Sequence, residues 1–350
     1  MEHPTFKAAA VQAAPVFLDL DATLDKSISL IEEAARNGAS LIAFPELWLP
    51  GYPWYAWLEA PALWMAKFSQ RYFDNSLEYG TPQADRLARA AKENNIMVSM
   101  GLSERSGGSL YIAQWLIGSD GKSISQRRKL KPTHVERIIY GEGDGSDLAV
   151  VDTPLGRIGS LCCWEHLQPL SKYAMYAQNE QVHVAAWPSF SLYEDGAYAL
   201  GMEVNTSASR IYAVEGQCFV VAPCATVSPE MVQEMCGDDL QRQLLKPGGG
   251  HARIFGPDGR QLHESLPADV EGLVYADLDL GMISMSKVAG DPAGHYSRPD
   301  ATQLVHHRAT RRPVIDTAPR PGATPTQDSN AGASPESVNV AAEALANSQS

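Results

Sequence analysis

Short apolar runs recur along the chain at residues 6–12, 41–44, 96–102, 110–117, 158–161, 182–187, 218–222 and 272–277. Runs of this length bounded by turn residues predict buried strands. Between the first two, Leu24, Ile28, Ile31 and Ala35 recur at spacings of four, three and four. That is one apolar helix face, with Asp21 as its expected N-cap and Gly38 as its stop. Residues 83–94, 169–179 and 197–213 read as further helices. Ser119-Asp120-Gly121 turns 110–117 back into 122–126, and Pro154-Leu155-Gly156 turns 148–153 into 157–161. A last strand pair is expected after Gly248-Gly249-Gly250, around Gly256-Pro257-Asp258-Gly259.

Strands thus alternate with helices and hairpins without a fixed repeat. The pattern predicts an α/β or layered α+β domain over residues 1–312. From Pro313 the composition turns to Pro, Ala, Ser, Thr, Asn and Gln with few aromatics, so 313–350 is expected to be a disordered tail. At 350 residues, 44% apolar and 20% charged, the chain resembles an ordinary soluble protein with a sizeable core. Its net charge of −13 argues against nucleic acid or an anionic membrane as partner. No apolar run reaches the 18 or so residues of a membrane span, and the N-terminus lacks a secretory pattern. The cysteines at 162, 163, 218, 224 and 236 are too irregular for a disulfide framework. The expectation is a cytoplasmic protein with reduced thiols.

Three polar groups follow directly on apolar strands. Glu46 comes after 41–44, Lys129 comes before the strand-ending Pro132, and the pair Cys162-Cys163 comes after 158–161. Each has an ordinary alternative: a surface carboxylate, a solvated basic run, an inert buried thiol. Together they sit where open α/β sheets gather their sites, at the carboxyl ends of strands. A cysteine at a strand-to-helix junction has backbone N–H groups nearby to favour the thiolate, which is the nucleophilic form. A carboxylate could take its proton and an ammonium could meet the charge that develops. Residue chemistry alone does not choose between Cys162 and Cys163, or between Lys129 and Lys131. The aromatic loop with Trp54, Tyr55 and Trp57 suits either a pocket or core packing. Gly141 to Ser146 lacks the spacing of a calcium loop, and the triple glycine lacks the Lys-Ser/Thr ending of a phosphate loop.

Phe44-Pro45-Glu46, Arg128-Lys129-Leu130-Lys131-Pro132-Thr133 and Cys162-Cys163-Trp164-Glu165-His166 together resemble the Glu-Lys-Cys signature of the nitrilase superfamily. Leu49-Pro50-Gly51-Tyr52-Pro53, His134-Val135-Glu136-Arg137 and Gly294-His295-Tyr296-Ser297-Arg298-Pro299 narrow the resemblance to true nitrilases. It covers about residues 6 to 305. It implies an α-β-β-α sandwich that stacks across a homodimer, extending to larger or spiral homo-oligomers. It also implies Cys163 as nucleophile, Glu46 as general base, Lys129 as the cation and Glu136 as a further positioning glutamate, with no metal or organic cofactor.

The implied reaction fits these side chains. The thiolate adds to the nitrile carbon, water converts the thioimidate to a thioester with loss of ammonia, and a second water releases the acid. Ejection of sulfur from the tetrahedral intermediate would instead leave an amide by-product. The segments 165–174 and 186–191 look most like the arylacetonitrilase branch. A phenylacetonitrile- or mandelonitrile-type substrate would follow, held by Trp54, Tyr55, Trp57, Trp164 and Trp187. The rival readings are an aliphatic nitrile, an amidase or carbamoylase of the same superfamily, and a non-catalytic filament scaffold.

Overall fold

The structure is a computed structural model that describes residues 3–193 and 196–311. All elements below belong to the unit Met1–Thr310. The tail expected from Pro313 onward lies outside the described residues.

Two sheets form the interior. In the first, Thr5–Ala13, Ala39–Ala43 and Met97–Ser106 run parallel, and Ser109–Ile117 and Ser123–Arg128 continue the sheet as antiparallel turns. Gly272–Asp279 pairs antiparallel with the opening strand along its length. In the second, Gly156–Cys162, Val182–Ala186 and Phe219–Ala222 are parallel, edged by Val150–Thr153 and Arg253–Phe255. Two reversals return Ser123–Arg128 to the direction of Ala39–Ala43. Glu46 and Lys129 therefore leave the first sheet at the same edge.

Alternation along the strands builds the layers. Ala8, Ala10, Leu41 and Ala43 face a core shared with Val182, Val184, Val220 and Val221 of the second sheet. Ala9, Val11, Ile42 and Val98 face the opposite way, toward Leu24, Ile31 and Leu87 on the helices Leu20–Arg36 and Pro82–Glu93. Helices Pro169–Tyr176 and Met202–Gly216 bury Tyr176, Tyr212 and Ala213 against the second sheet. The result is the α-β-β-α sandwich. Among the described residues no helix is long and apolar enough to cross a membrane.

Some boundaries differ from the sequence pattern. The first helix starts two residues earlier than the pattern suggests, because the Asp19 carboxylate accepts the Ala22 N–H at 2.9 Å while Asp21 lies inside the first turn. The helix expected over 197–213 is a short 3-10 turn, Tyr198–Leu200, then Met202–Gly216, divided at the extended Gly201. The pair expected around Gly256 is a single strand, Arg253–Phe255, with one bridge from Phe255 to Gln261. A further helix, Pro61–Asp74, lies outside the expected elements; Trp64, Phe68 and Tyr72, spaced every four residues, are its buried face.

Candidate active site

Glu46 lies just past Ala39–Ala43, where Phe44 N–H still bonds to the Ser99 carbonyl at 2.8 Å. The chain then crosses the neighbouring strand at Gly101, where any side chain would overlap the Pro45 carbonyl. Lys129 extends Ser123–Arg128 by one residue, its N–H bonded to Ile112 O at 2.7 Å. Its ammonium meets Glu46 Oε1 and Glu136 Oε2, both at 2.8 Å. Glu136 is fixed from three sides: the Thr133 N–H donates to Oε2 at 2.6 Å as part of a capping box, and Tyr52 OH donates to Oε1 at 2.7 Å.

All three charged groups are buried, so their partners decide their protonation. Burial alone would drive the Lys129 pKa down, but the carboxylates of Glu136 and Glu46 outweigh it and hold the ammonium well above the usual lysine range. Burial pushes Glu46 up, Lys129 pulls it back, and Glu136 adds to the rise; the net shift is upward. Glu46 Oε2 is buried and has no hydrogen-bond partner among the described residues. A carboxylate with one oxygen tied to an ammonium and the other unclaimed can accept a proton from a neighbour.

The charge of Glu46 is felt at Cys163. Gly156–Cys162 ends in a 3-10 turn, Cys163–Leu167, and Cys163 itself takes φ +48°, a left-handed conformation that a non-glycine residue rarely adopts. Leu47 and His134, flanking the two other segments, do the same at φ +50° and +48°. Burial raises the Cys163 thiol, and the charge of Glu46 raises it further. Lys129 opposes this, Glu136 adds to the rise, and the Trp164 N–H, turned toward the sulfur, favours the thiolate. The net effect is a thiol pKa above the usual range.

Cys163 opens on a cavity of about 40 Å³ lined also by Tyr52, Trp54, Trp57, Glu136, Trp164 and Phe190. Of the five aromatics expected to hold substrate, Trp54, Trp57 and Trp164 line this cavity. Tyr55 and Trp187 are outside this lining. Tyr55 turns away to stack on Phe68 at 4.4 Å, and Trp187 stacks on His166 and donates its indole N–H to Ser209 Oγ at 2.8 Å. Cys162 lies in the strand proper, fully buried near Arg127. Lys131 is a surface residue paired with Glu142.

Two residues that spacing gave no reason to pick hold the Lys129 and Cys163 segments together. Arg127 and Glu165, both nearly inaccessible, form a two-pronged pair at 3.0 and 2.8 Å. Glu165 also accepts the N–H of Cys162 and of Leu130, each at 2.8 Å, so one carboxylate fastens the residue before Cys163 to the residue after Lys129. Burial works against its charge, but Arg127 outweighs burial and lowers its pKa. The signal in the sequence is the glutamate of Cys163-Trp164-Glu165 itself. Among the described residues no cluster of three or more His, Cys, Asp or Glu is arranged to hold a metal ion.

Residues 7–287 match the carbon-nitrogen hydrolase family. A nitrilase of Pseudomonas syringae pv. syringae is 60% identical over 316 residues, 90% of this chain and 94% of that protein. An aliphatic nitrilase of Rhodococcus rhodochrous is 53% identical over 89% of this chain and 85% of its own length. A nitrilase described as arylacetone-specific, from Alcaligenes faecalis, is 52% identical over 88% and 86%. With the sandwich and a match over most of its length, the chain belongs to the carbon-nitrogen hydrolase family, in its nitrilase branch.

Proposed function

We propose that this protein hydrolyses an organic nitrile to the carboxylic acid and ammonia, with an arylacetonitrile as its preferred substrate. The observation that carries the reading is Cys163 on an indole-lined cavity that Glu136 also lines, with the Lys129 ammonium bonded to both Glu136 and Glu46. Glu46 Oε2 takes the thiol proton as sulfur adds to the nitrile carbon. The negative charge on nitrogen is met by the Lys129 ammonium, with Trp164 N–H alongside. Proton return from Glu46 gives the thioimidate. Water, deprotonated by Glu46, adds to it; protonated nitrogen leaves as ammonia and a thioester remains. A second water releases the acid and restores the thiol. Glu136 accepts from Lys129, Tyr52 and Thr133, and so aims the ammonium.

Trp54, Trp57 and Trp164 favour a flat ring. The small volume favours a second reading, a compact aliphatic nitrile. Ammonia release from phenylacetonitrile, mandelonitrile, benzonitrile and short aliphatic nitriles, each beside its matching amide, decides. The highest kcat/KM on arylacetonitriles is expected, and ammonia from the amides alone rejects nitrile hydrolysis. The assembly we propose is a homodimer extending to larger homo-oligomers. Leu170, Ile211 and Val214, exposed on the outer helices Pro169–Tyr176 and Met202–Gly216, support it. A monomer by light scattering contradicts it.

A further inference from the structure

Behind Cys163 runs a second buried polar chain that the reaction above does not use. His166 Nδ1 lies 2.7 Å from the Cys163 carbonyl oxygen. His166 Nε2 lies 2.9 Å from His183 Nε2, and His183 Nδ1 lies 2.7 Å from Glu180 Oε1. Tyr212 OH donates to Glu180 Oε2 at 2.6 Å. All these side chains are buried, and the rings are clamped: Trp187 stacks on His166, and Tyr212 on His183 at 3.7 Å. Gly159, the strand partner of His183, makes room, since a side chain there would overlap the Glu180 carboxyl.

The proton positions follow from one fixed end. A carbonyl oxygen only accepts, so His166 Nδ1 carries hydrogen. Burial, and then the neighbouring His183, keep His166 uncharged, so its Nε2 is a lone pair. His183 must then donate from Nε2, and burial keeps it uncharged too, which leaves a lone pair at Nδ1. Glu180 Oε1 therefore has to be the donor, which requires a neutral carboxylic acid. Burial pushes Glu180 up to about 8, in keeping with that demand.

We propose that Glu180, His183 and His166 form a one-way positioning relay, set by a proton on Glu180, that fixes the Cys163–Trp164 peptide. In a trans peptide the C=O and N–H point oppositely, so a carbonyl held by His166 aims the Trp164 N–H at the sulfur side. This rests on Cys163 being the nucleophile. When Glu180 ionises it can only accept. His183 must then present Nδ1–H, and two lone pairs meet at the 2.9 Å histidine contact. If His166 also switches tautomer, its lone pair meets the Cys163 carbonyl instead. Either way one hydrogen bond of the relay is lost. The other titratable groups facing the relay are Tyr212, Tyr176 and Cys218 around Glu180, Arg127 and Glu165 toward His183, and Lys172 toward His166.

The full-length protein with ¹⁵N-labelled histidine tests this by solid-state NMR. His166 is expected as the Nδ1–H tautomer and His183 as Nε2–H below pH 8. His166 found as Nε2–H overturns the relay whatever the enzyme's activity, whereas a fully active Cys163→Ala variant would instead overturn the nucleophile. Glu180→Ala is expected to lower kcat by ~10- to 100-fold, the scale of a misplaced reacting group, with KM little changed. Glu180→Gln, whose amide donates to His183 and accepts from Tyr212 at every pH, should recover most of kcat. It should also carry activity to higher pH than the wild type. An unmoved alkaline limb in Glu180→Gln, or a loss equal to that of Glu180→Ala, overturns the proposal even if the alanine variant fails to fold.

Discussion

Glu165→Gln isolates the pair that joins the Cys163 and Lys129 segments. Glu165 receives four hydrogen bonds: two from Arg127 and one each from the N–H groups of Cys162 and Leu130. An amide offers one acceptor oxygen, and its NH₂ faces donors already in place. Arg127 keeps its charge, with Gln114 Oε1 and Asp147 O as its remaining partners. Removing one member of a buried ion pair destabilises by about 3–5 kcal/mol. An orphaned backbone N–H adds about 1–3 kcal/mol. Urea unfolding should therefore show a loss of at least about 3 kcal/mol at neutral pH, with the m-value unchanged. The double variant Arg127→Met/Glu165→Leu should recover part of this by removing the stranded charge, but not all, because Cys162 and Leu130 stay unpaired. The pH dependence has a definite sign. The Glu165 pKa is lower in the folded state, so its contribution is complete above the ordinary carboxylate pKa and is lost as pH falls below it. A Gln variant within about 1 kcal/mol of wild type would refute the account of the clamp.

Cys163→Ala, Lys129→Ala and Glu46→Gln should each remove turnover on nitriles while circular dichroism stays native, with at least about a hundredfold loss at Lys129. Cys162→Ala should remain active, and iodoacetamide should label native protein at Cys163 by mass spectrometry; the reverse pattern would move the nucleophile to Cys162. Glu46 is held above the ordinary carboxylate range by burial, so kcat/KM should still be rising with pH above that range. A pH–rate profile already flat from pH 5 contradicts this. Gly101→Ala puts a methyl group against the Pro45 carbonyl and should displace Glu46, lowering both thermal midpoint and kcat; unchanged values for both would show that the crossing is not close.

The strands and outer helices were legible because the strands are short apolar runs and the helices carry one apolar stripe, signals that depend only on local period, whereas the sandwich itself came from the family resemblance. What period does not encode is where the chain breaks. Gly201 divides a continuous helical pattern because it takes an extended conformation at the cap, and the Asp19 cap is chosen by geometry over the equally suitable Asp21. Pocket aromatics show the same limit. Trp54, Tyr55 and Trp57 are equivalent in sequence, yet a four-residue helix, Tyr55–Leu58, sends Tyr55 to Phe68 and leaves its neighbours on the cavity.

The adjacent cysteines show why polar chemistry was half readable. Both follow the same strand, both are buried, and burial raises both thiols. The difference is one residue of backbone. Cys162 keeps β geometry, φ −110°, and its sulfur faces Arg127. Cys163 turns left-handed, which swings its side chain off the strand alternation and onto the cavity. That turn is held by partners far away in sequence: Glu165 on the Cys162 N–H and His166 on the Cys163 carbonyl, the latter backed by His183 and Glu180. A left-handed cysteine costs roughly 1–3 kcal/mol and persists only where surrounding contacts enforce it. The information that turns Cys163 onto the cavity therefore resides in Glu165, His166, His183 and Glu180, whose convergence on residues 162 and 163 only the folded chain displays.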